Sequence, residues 1–263
     1  MTIQNDPIIT LPVLNINGMI VSNNATTPNT KLDISAGTAR DSNNVMDITL
    51  GAANPNLEGA TVTAPVTINA AVVGANGIDT GSLGASKVYA VYIIADSRYY
   101  QATAGLLSLA SNSTPTMPFG YDSYRLIGYA VTDGSSHFLL HYVSGTGNSR
   151  LFTFDAPIAV LSAGTQTGYT GVALTAFVPP VANTPVNLFS NFTANAAADI
   201  LNYQGYNSVG DAVTVIAPVA GATAHTTSNN VVLAQLNSAA PSIKYKVSAG
   251  AITANLCSFQ FFI

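Results

Sequence analysis

Charged side chains are scarce in this sequence. They make up 8% of its 263 residues, whereas about 25% is usual in a globular protein. Glutamate occurs once, at Glu58. Because exposed helix surfaces are normally built from Glu, Lys, Arg and Gln, this scarcity predicts few helices.

The basic residues are few as well as scattered. The formal net charge is −4, and phosphate binding needs clustered Lys and Arg, so we expect no nucleic-acid partner. Lys244 and Lys246 come close together. Their alternation along a predicted strand is typical of a solvated face.

Long apolar runs and paired cysteines are also missing. The mean hydropathy is +0.33, yet no apolar run approaches the roughly 18–20 residues of a membrane-spanning helix, so no membrane insertion is expected. Cys257 is the single cysteine, which excludes an intrachain disulfide framework and predicts a small buried side chain. Residues 1–6 lack the features of a signal peptide, so we expect synthesis in a cytoplasm. The sequons at Asn24, Asn112 and Asn191 are then interpreted as chance matches.

Short apolar or alternating segments separated by turn signals run through the whole chain, a pattern typical of an all-β fold. In the first half, strands are predicted at residues 8–14, 19–22, 31–34, 45–50, 61–68, 88–94, 125–132 and 135–142. In the second half, they are predicted at residues 151–154, 172–178, 186–192, 200–206, 212–216, 231–236, 243–247 and 255–262. About eight strands in about 110 residues suit a jelly-roll-like β-sandwich.

Local signals divide this pattern. Asp133-Gly134 predicts a type I′ hairpin turn, and the Gly/Ser/Asn-rich residues 144–149 predict a linker. We therefore predict three parts: an N-terminal arm at residues 1–14, a mixed β domain at 15–149, and a C-terminal β-sandwich at 150–263. Residues 195–201 suit either a short helix or a strand.

Two predicted strands are apolar on both faces, at residues 172–178 and 231–236. In a two-layer sandwich one face of each strand should meet water. Another copy of the same chain is the simplest cover for the second face, so we predict a homo-oligomer.

The histidines and one acidic loop are weak candidates for chemistry. His137 and His141 fall on one predicted strand, where four residues span about 13 Å. That is too far for one metal ion, so both are expected to be sheet-face residues. His225 lies in a predicted polar loop. Asp41, Asn43 and Asp47 lack the Gly and the terminal Glu of a calcium loop, which favours a turn with Asx hydrogen bonds, a structural cation being the alternative.

Other patterns are weaker still. Residues 76–81 are Gly-rich but lack the spacing and the Lys of a phosphate loop. Asp199 and Asp211 could form the carboxylate pair of a glycan-cleaving enzyme only if folding brought them together. We therefore predict no catalytic residue, no cofactor and no metal ligand, and a protein that is not an enzyme.

Tyrosine is the residue type most suited to a contact surface, because its ring offers flat area and its hydroxyl can hydrogen-bond. Core or subunit-interface positions and a ligand surface are both open interpretations for these tyrosines, and no single ligand-contacting residue is assigned. The absence of Trp weakens a carbohydrate-binding interpretation. The candidates are Tyr99, Tyr100, Tyr121, Tyr124, Tyr203 and Tyr206.

Several segments, in this order, resemble a recurring set in bacteriophage tail-fibre and related virion proteins. They are residues 31–42, 77–83, 88–94, 115–121 and 124–128, which together cover roughly residues 15–142. In the second half, residues 178–180 and 245–250 resemble parts of the β-sandwich tips of the same proteins.

The resemblance implies a trimeric or otherwise symmetric projecting subunit of the virion, assembled in the host cytoplasm. The expected function is that of a tail-fibre or fibre-anchor subunit that attaches to other virion proteins or to a host surface glycan or receptor. The chain has no heptad or collagen-like shaft. The alternative is therefore a capsid decoration or head-fibre (cement) protein that stabilises the shell.

Overall fold

The computed structural model describes residues 12, 15–51, 64–98, 103–193, 196–209, 213–216, 223–237 and 239–263. These residues form nineteen strands and no helix, as the shortage of helix-surface residues predicted. No described helix is long and apolar enough to cross a membrane. Two compact units are present: the first spans Met1–Arg150 together with Phe262–Ile263, and the second spans Leu151–Phe261.

Eleven short strands belong to the first unit. They are β1 (Ile16–Gly18), β2 (Val21–Asn23), β3 (Lys31–Ile34), β4 (Gly37–Arg40), β5 (Asp47–Leu50), β6 (Val66–Asn69), β7 (Gly77–Ile78), β8 (Val88–Ala95), β9 (Ala104–Leu109), β10 (Ser123–Val131) and β11 (His141–Thr146).

Three small sheets make up most of the first unit, in the strand orders β1-β4-β5, β2-β3-β6 and β10-β8-β9-β7. β7 pairs with β9 in parallel, while the other strand pairs of these three sheets are antiparallel, so this is the expected mixed β region. Every residue of β8 is buried, so this strand is covered on both faces. Gly105 of β9 lies against Ile34 and Ile68. A side chain at this position would overlap them, so glycine permits the close approach of two sheets.

The predicted type I′ turn at Asp133-Gly134 is wrong. The Asp133 carboxylate accepts hydrogen bonds from the backbone N–H groups of Ser135 (2.8 Å) and His137 (2.9 Å). The Asp133 N–H donates to the His137 carbonyl, and Ser136, not Gly134, has positive φ. A five-residue loop built on the Asp133 side chain thus replaces the two-residue turn, and the next strand begins only at His141.

Eight strands form the second unit, with β12 crossing the unit boundary. They are β12 (Ser149–Gly164), β13 (Thr170–Ala173), β14 (Thr184–Thr193), β15 (Ile200–Gly205), β16 (Val213–Ile216), β17 (Thr223–Asn237), β18 (Ala240–Val247) and β19 (Ala251–Phe262).

Two antiparallel layers meet through β17 in this unit. One layer has the order β12-β19-β14-β17, and the other has the order β17-β18-β15-β16 with β13 paired to β18. A small cavity between the layers is lined by Leu188 and Ile252 from the first and by Tyr203 and Ile243 from the second. The inner faces therefore oppose each other, and the expected jelly-roll-like β-sandwich is confirmed.

Several boundaries differ from the sequence prediction. The predicted strand 172–178 ends at Ala173, because Phe177 and Val178 both donate to the Leu174 carbonyl and close a turn. The predicted linker 144–149 is wrong, since these residues form a hairpin between β11 and β12 with Gly147 at φ 61°. Residues 200–205 are a strand, so the helical interpretation of 195–201 is not supported. Residues 1–11, 13–14 and 52–63, which include most of the predicted strand 8–14 and the start of the predicted strand 61–68, lie outside the described residues, as do Tyr99, Tyr100, Asn195 and Asp211.

Candidate binding surfaces

The three histidines lie in different settings. His137 is exposed in the Asp133 loop, so its expected position on a strand is wrong. His141 starts β11 and is buried. Its ring Nδ1 lies 3.2 Å from the Leu139 carbonyl oxygen, and its backbone N–H donates to Asn23 Oδ1. Burial lowers the pKa of His141 to about 4. The His225 backbone belongs to β17, opposite Asn191, and not to a polar loop.

The acidic loop at Asp41 is held by backbone hydrogen bonds. Asp41 is fully buried. Its Oδ1 accepts from the N–H groups of Val45 (2.7 Å) and Met46 (2.9 Å), and its Oδ2 accepts from Asn43. Asp47 instead pairs with Arg40 at 2.8 Å. The oxygens of this loop are thus engaged by the chain itself, which agrees with the Asx interpretation.

Replacing Asp41 by alanine should destabilise the first unit by about 2 kcal/mol, because buried N–H groups lose their acceptor. The same change at exposed Asn43 serves as the control and should have little effect. Thermal unfolding with calcium or with a chelator should give the same midpoint for the unmodified protein. A calcium-dependent rise in this midpoint that disappears in D41A would support the cation alternative instead.

The Gly-rich segment 76–81 also has a structural role. Asn76 Oδ1 accepts from the Gly105 N–H at 2.9 Å. Asp79 is buried, and its Oδ2 accepts from the Thr116 N–H at 3.0 Å. This segment therefore fixes β9 and the loop that follows it.

The remaining candidates, Asp199 and Cys257, do not belong to a cluster of reactive side chains among the described residues. Within the described residues, no cluster of three or more His, Cys, Asp or Glu side chains could hold a metal ion. Asp199 accepts from the Ala196 N–H and from the Ser248 hydroxyl, so it closes a turn. Cys257 is half-buried, and burial raises the pKa of its thiol.

The candidate tyrosines divide into core and surface positions. Tyr92 and Tyr124 pack edge to face with ring centroids 5.8 Å apart, and burial raises the pKa of Tyr92 to about 12. Tyr203 is buried between the layers of the second unit, and its hydroxyl oxygen lies 3.2 Å from Ser190 Oγ. Tyr206, in contrast, lies on the outside of the sandwich, against Gly171 and Lys244.

One end of the first unit carries an exposed aromatic side chain. Phe119 is fully exposed in the loop between β9 and β10. Nearby Asp122 accepts from the N–H and the hydroxyl of Ser97, and Asp96 forms a bidentate pair with Arg98. Phe119 is a single exposed apolar side chain of the kind that is common on protein surfaces, and it defines no site by itself.

The outer face of the β13-β18-β15 sheet forms a second surface, which we call the lysine–tyrosine face. Lys244 lies opposite Gly171 and Gln204, and Lys246 lies opposite Asn202. Ile243, Tyr245 and Val247 are buried on the other face, as the alternation predicted. The face consists of Tyr169, Asn202, Gln204, Tyr206, Lys244 and Lys246.

Both lysines of this face lie over aromatic rings. Lys244 Nζ is 5.1 Å from the centroid of Tyr206, and Lys246 Nζ is 4.4 Å from that of Tyr169. Both lysines are half-buried, so they are less solvated than predicted. Their positions on rings are typical of cation–π contacts.

The outer face of the other layer carries exposed apolar side chains beside two amides, and we call this patch the groove face. A groove of about 180 Å³ runs along it, lined in part by Leu151, Pro185, Asn187 and Val231. Val231 is 63% exposed and Leu233, opposite Pro185, is 43% exposed. The Asn187 Oδ1 atom is buried without a hydrogen-bond partner. The groove face consists of Leu151, Pro185, Asn187, Val231, Leu233 and Gln260.

Comparisons with known proteins identify no family. No family model matches the chain, and no curated protein matches it. Among solved structures, it is similar to the carbohydrate-binding module CBM6cm-2 from Cellvibrio mixtus lichenase 5A, in complex with cellotriose. The sequences are 15% identical, the TM-score is 0.21, and the match covers 48% of this chain and 87% of that chain. A likeness at this level carries no argument about what this chain binds.

Proposed function

We propose that the chain is a non-catalytic structural protein of a bacteriophage virion, a tail-fibre or fibre-anchor subunit that attaches to the particle or to the host surface. One observation carries the proposal. The sandwich presents two outer faces of different chemistry. The groove face combines exposed apolar side chains with two neutral amides, and the lysine–tyrosine face combines cations, rings and amides.

The groove face suits contact with a second copy of the same chain. Its side chains are neutral, so no like-charge repulsion arises when two identical faces meet. Exposed Val231 and Leu233 would supply apolar area, and Asn187 Oδ1 would gain a hydrogen-bond donor. This leaves the other layer of each sandwich available for a ligand.

The self-association step predicts a specific effect of charge. Placing Asp at both positions 231 and 233 should shift the oligomer towards monomers, because two carboxylates per chain would be desolvated and would repel each other. Light scattering after size exclusion measures the change. Val209→Asp, at a fully exposed position outside the groove face, should leave the mass unchanged. Equal masses for V231D/L233D and the unmodified chain would contradict this assignment of the interface.

The attachment role predicts that the purified protein binds host cells and competes with the particle for adsorption. Quantitative mass spectrometry, with the major capsid protein as reference, gives the number of copies of this chain per particle and so indicates whether it belongs to the tail or to the head shell. A few to a few dozen copies per particle, with competition, is the expected result. No binding to cells at micromolar concentration would contradict the host-attachment form of the proposal.

The same groove face also favours the second candidate, a capsid decoration or cement protein, because such a protein needs a surface for protein neighbours and no receptor. In that case the count would reach hundreds per particle. Particles without the chain would then lose physical stability more than infectivity.

A further inference from the structure

We infer that the lysine–tyrosine face binds an acidic carbohydrate, a polymer that carries both acid groups and free hydroxyls. The inference rests on the proposed attachment function and names its ligand class. The acid groups are assigned to the lysines, the hydroxyls to two buried amide oxygens, and the flat sugar surfaces to the tyrosine rings.

The charge distribution supplies the first argument. Lys244 and Lys246 are the only Lys or Arg in residues 151–263, which otherwise carry Asp155, Asp199 and Asp211 as their charged residues. Two residues apart on one strand, the lysines project from the same face with about 6.6 Å between their Cα atoms. At this spacing, both ammonium groups can donate hydrogen bonds to acid groups of one polymer.

The rings supply flat contact area on both sides of the lysines. Tyr206 crosses the face and lies against Gly171, where an added Cβ would come within 2.9 Å of Tyr206 Cε2. Glycine at this position therefore allows the ring to lie close to the sheet beside Lys244. Tyr169 holds the corresponding place beside Lys246. Rings held in this way offer rigid area at low entropic cost.

The amides distinguish a sugar from a simple anion. Asn202 is 6% exposed and Gln204 is 3% exposed. The Oδ1 atom of Asn202 and the Oε1 atom of Gln204 are buried without hydrogen-bond partners. The Gln204 Nε2 group donates to the Ser208 carbonyl at 2.8 Å, which fixes the orientation of this amide.

Buried acceptors without partners require donors, because each costs free energy while unsatisfied. A fully ionised phosphate or carboxylate offers only acceptors, which suit the lysines but not the amides. Hydroxyl groups can donate to Asn202 and Gln204, while acid groups of the same molecule accept from Lys244 and Lys246. The lysine stems are flexible enough to move off the rings and admit a sugar. The combination therefore favours acidic carbohydrate over a bare polyanion or a neutral glycan.

The test is titration calorimetry of the full chain with four polymers. Oligogalacturonate carries carboxylates and sugar hydroxyls, and glucosylated glycerol-phosphate teichoic acid carries phosphodiesters and sugar hydroxyls, so these two distinguish the source of the acid. Dextran carries hydroxyls alone, and polyphosphate carries charge alone. At least one of the first two should bind about tenfold or more tightly than both controls, with affinity that falls as salt increases.

Variants locate the binding. K244Q/K246Q should weaken binding about tenfold or more, since both charge-assisted contacts are lost. N202A/Q204A should weaken it severalfold without changing the dependence on salt. Lys87→Gln, an exposed lysine of the first unit, is the matched control and should bind normally. Unchanged thermal midpoints establish that the variants are folded.

Three results would overturn the inference: neither acidic polymer binds, polyphosphate or dextran binds as tightly as the acidic polymers, or K87Q weakens binding as much as K244Q/K246Q.

The adsorption assay distinguishes a failure of this inference from a failure of the proposed function. If the purified protein competes with the particle while no acidic polymer binds, the attachment role stands and the ligand class is wrong. If K244Q/K246Q also loses competition, both the site and its role are supported.

Discussion

Arg150→Met should destabilise the first unit by about 3–5 kcal/mol, because four backbone carbonyls would each lose a charged donor at a cost of about 1 kcal/mol. Arg150 is 1% exposed. Its guanidinium donates to four backbone carbonyls: Gly18 (2.7 Å), Met19 (2.8 Å), Ile127 (3.2 Å) and Gly147 (3.2 Å). Methionine fills similar volume but donates to none of them, so these acceptors would lose their donor.

The corner between β1 and β2 explains why this arginine matters. Gly18 and Met19 have φ values of 67° and 53°, and such a conformation is unfavourable for a side chain such as that of Met19. Arg150 donates to the carbonyls of both residues and so stabilises the corner. Its burial lowers the pKa of the guanidinium to about 10, which agrees with a cation held by dipoles in a desolvated setting.

Hydrogen–deuterium exchange is the suitable measurement, because it reports on the two units separately. R150M should speed exchange in β1, β2 and β10 far more than in β14 or β19. R150K should be intermediate, because an ammonium group cannot reproduce the guanidinium fork. R98M, which removes a 65% exposed arginine side chain, is the control and should leave exchange in β1 unchanged. Similar exchange in R150M and R98M would contradict the assigned role.

Strands with a clear side-chain pattern were predictable from the sequence. Lys31–Ile34 and Val88–Ala95 were recognised almost to the residue, because alternation or a continuous β-branched run marks them. β17 was recognised only in its apolar half, since it begins at Thr223. Its polar half carries no such pattern and is held by pairing with β14. The paired residues lie 30 to 42 positions apart in the chain, and no local signal reveals this pairing.

Side chains that redirect the backbone explain the wrong boundaries. The turn at Asp133-Gly134 was predicted from the residue pair, whereas the Asp133 carboxylate organises the loop and the Phe138 N–H donates to the distant Asn29 carbonyl. Long-range acceptors of this kind cannot be read from a dipeptide.

The sequence predicted the two lysines of the lysine–tyrosine face but not the residues that lie beside them. Alternation placed Lys244 and Lys246 on one face, opposite Ile243, Tyr245 and Val247. The pairing of β18 with both β13 and β15 supplies the rest, because it brings Tyr169, Asn202 and Gln204 beside the lysines. This surface therefore depends on which strands are neighbours in the sheet. A single sequence indicates where strands lie along the chain but does not determine which strands pair.

Acid should destabilise the first unit through His141. An unfolded histidine has a pKa near 6.5, whereas burial lowers that of His141 to about 4. As pH falls, the unfolded state therefore binds the proton first. The contribution of neutral His141 is fully present above about pH 6.5 and is lost as pH falls towards 4. The loss amounts to about 3 kcal/mol over this window.

H141Q isolates this effect, because glutamine keeps a polar side chain but does not titrate. Between pH 6.5 and 4, the unfolding free energy of the unmodified protein should fall more steeply than that of H141Q, and the difference in slope is the measured quantity. If H141Q is less stable overall, its unfolding free energy falls by the same amount at pH 6.5 and at pH 4, so the comparison of slopes stays valid. H137Q removes the exposed histidine of the Asp133 loop and should keep the steep slope. Parallel curves for H141Q and the unmodified protein would show that a different group carries the acid sensitivity, since protonation of a buried neutral imidazole requires this difference.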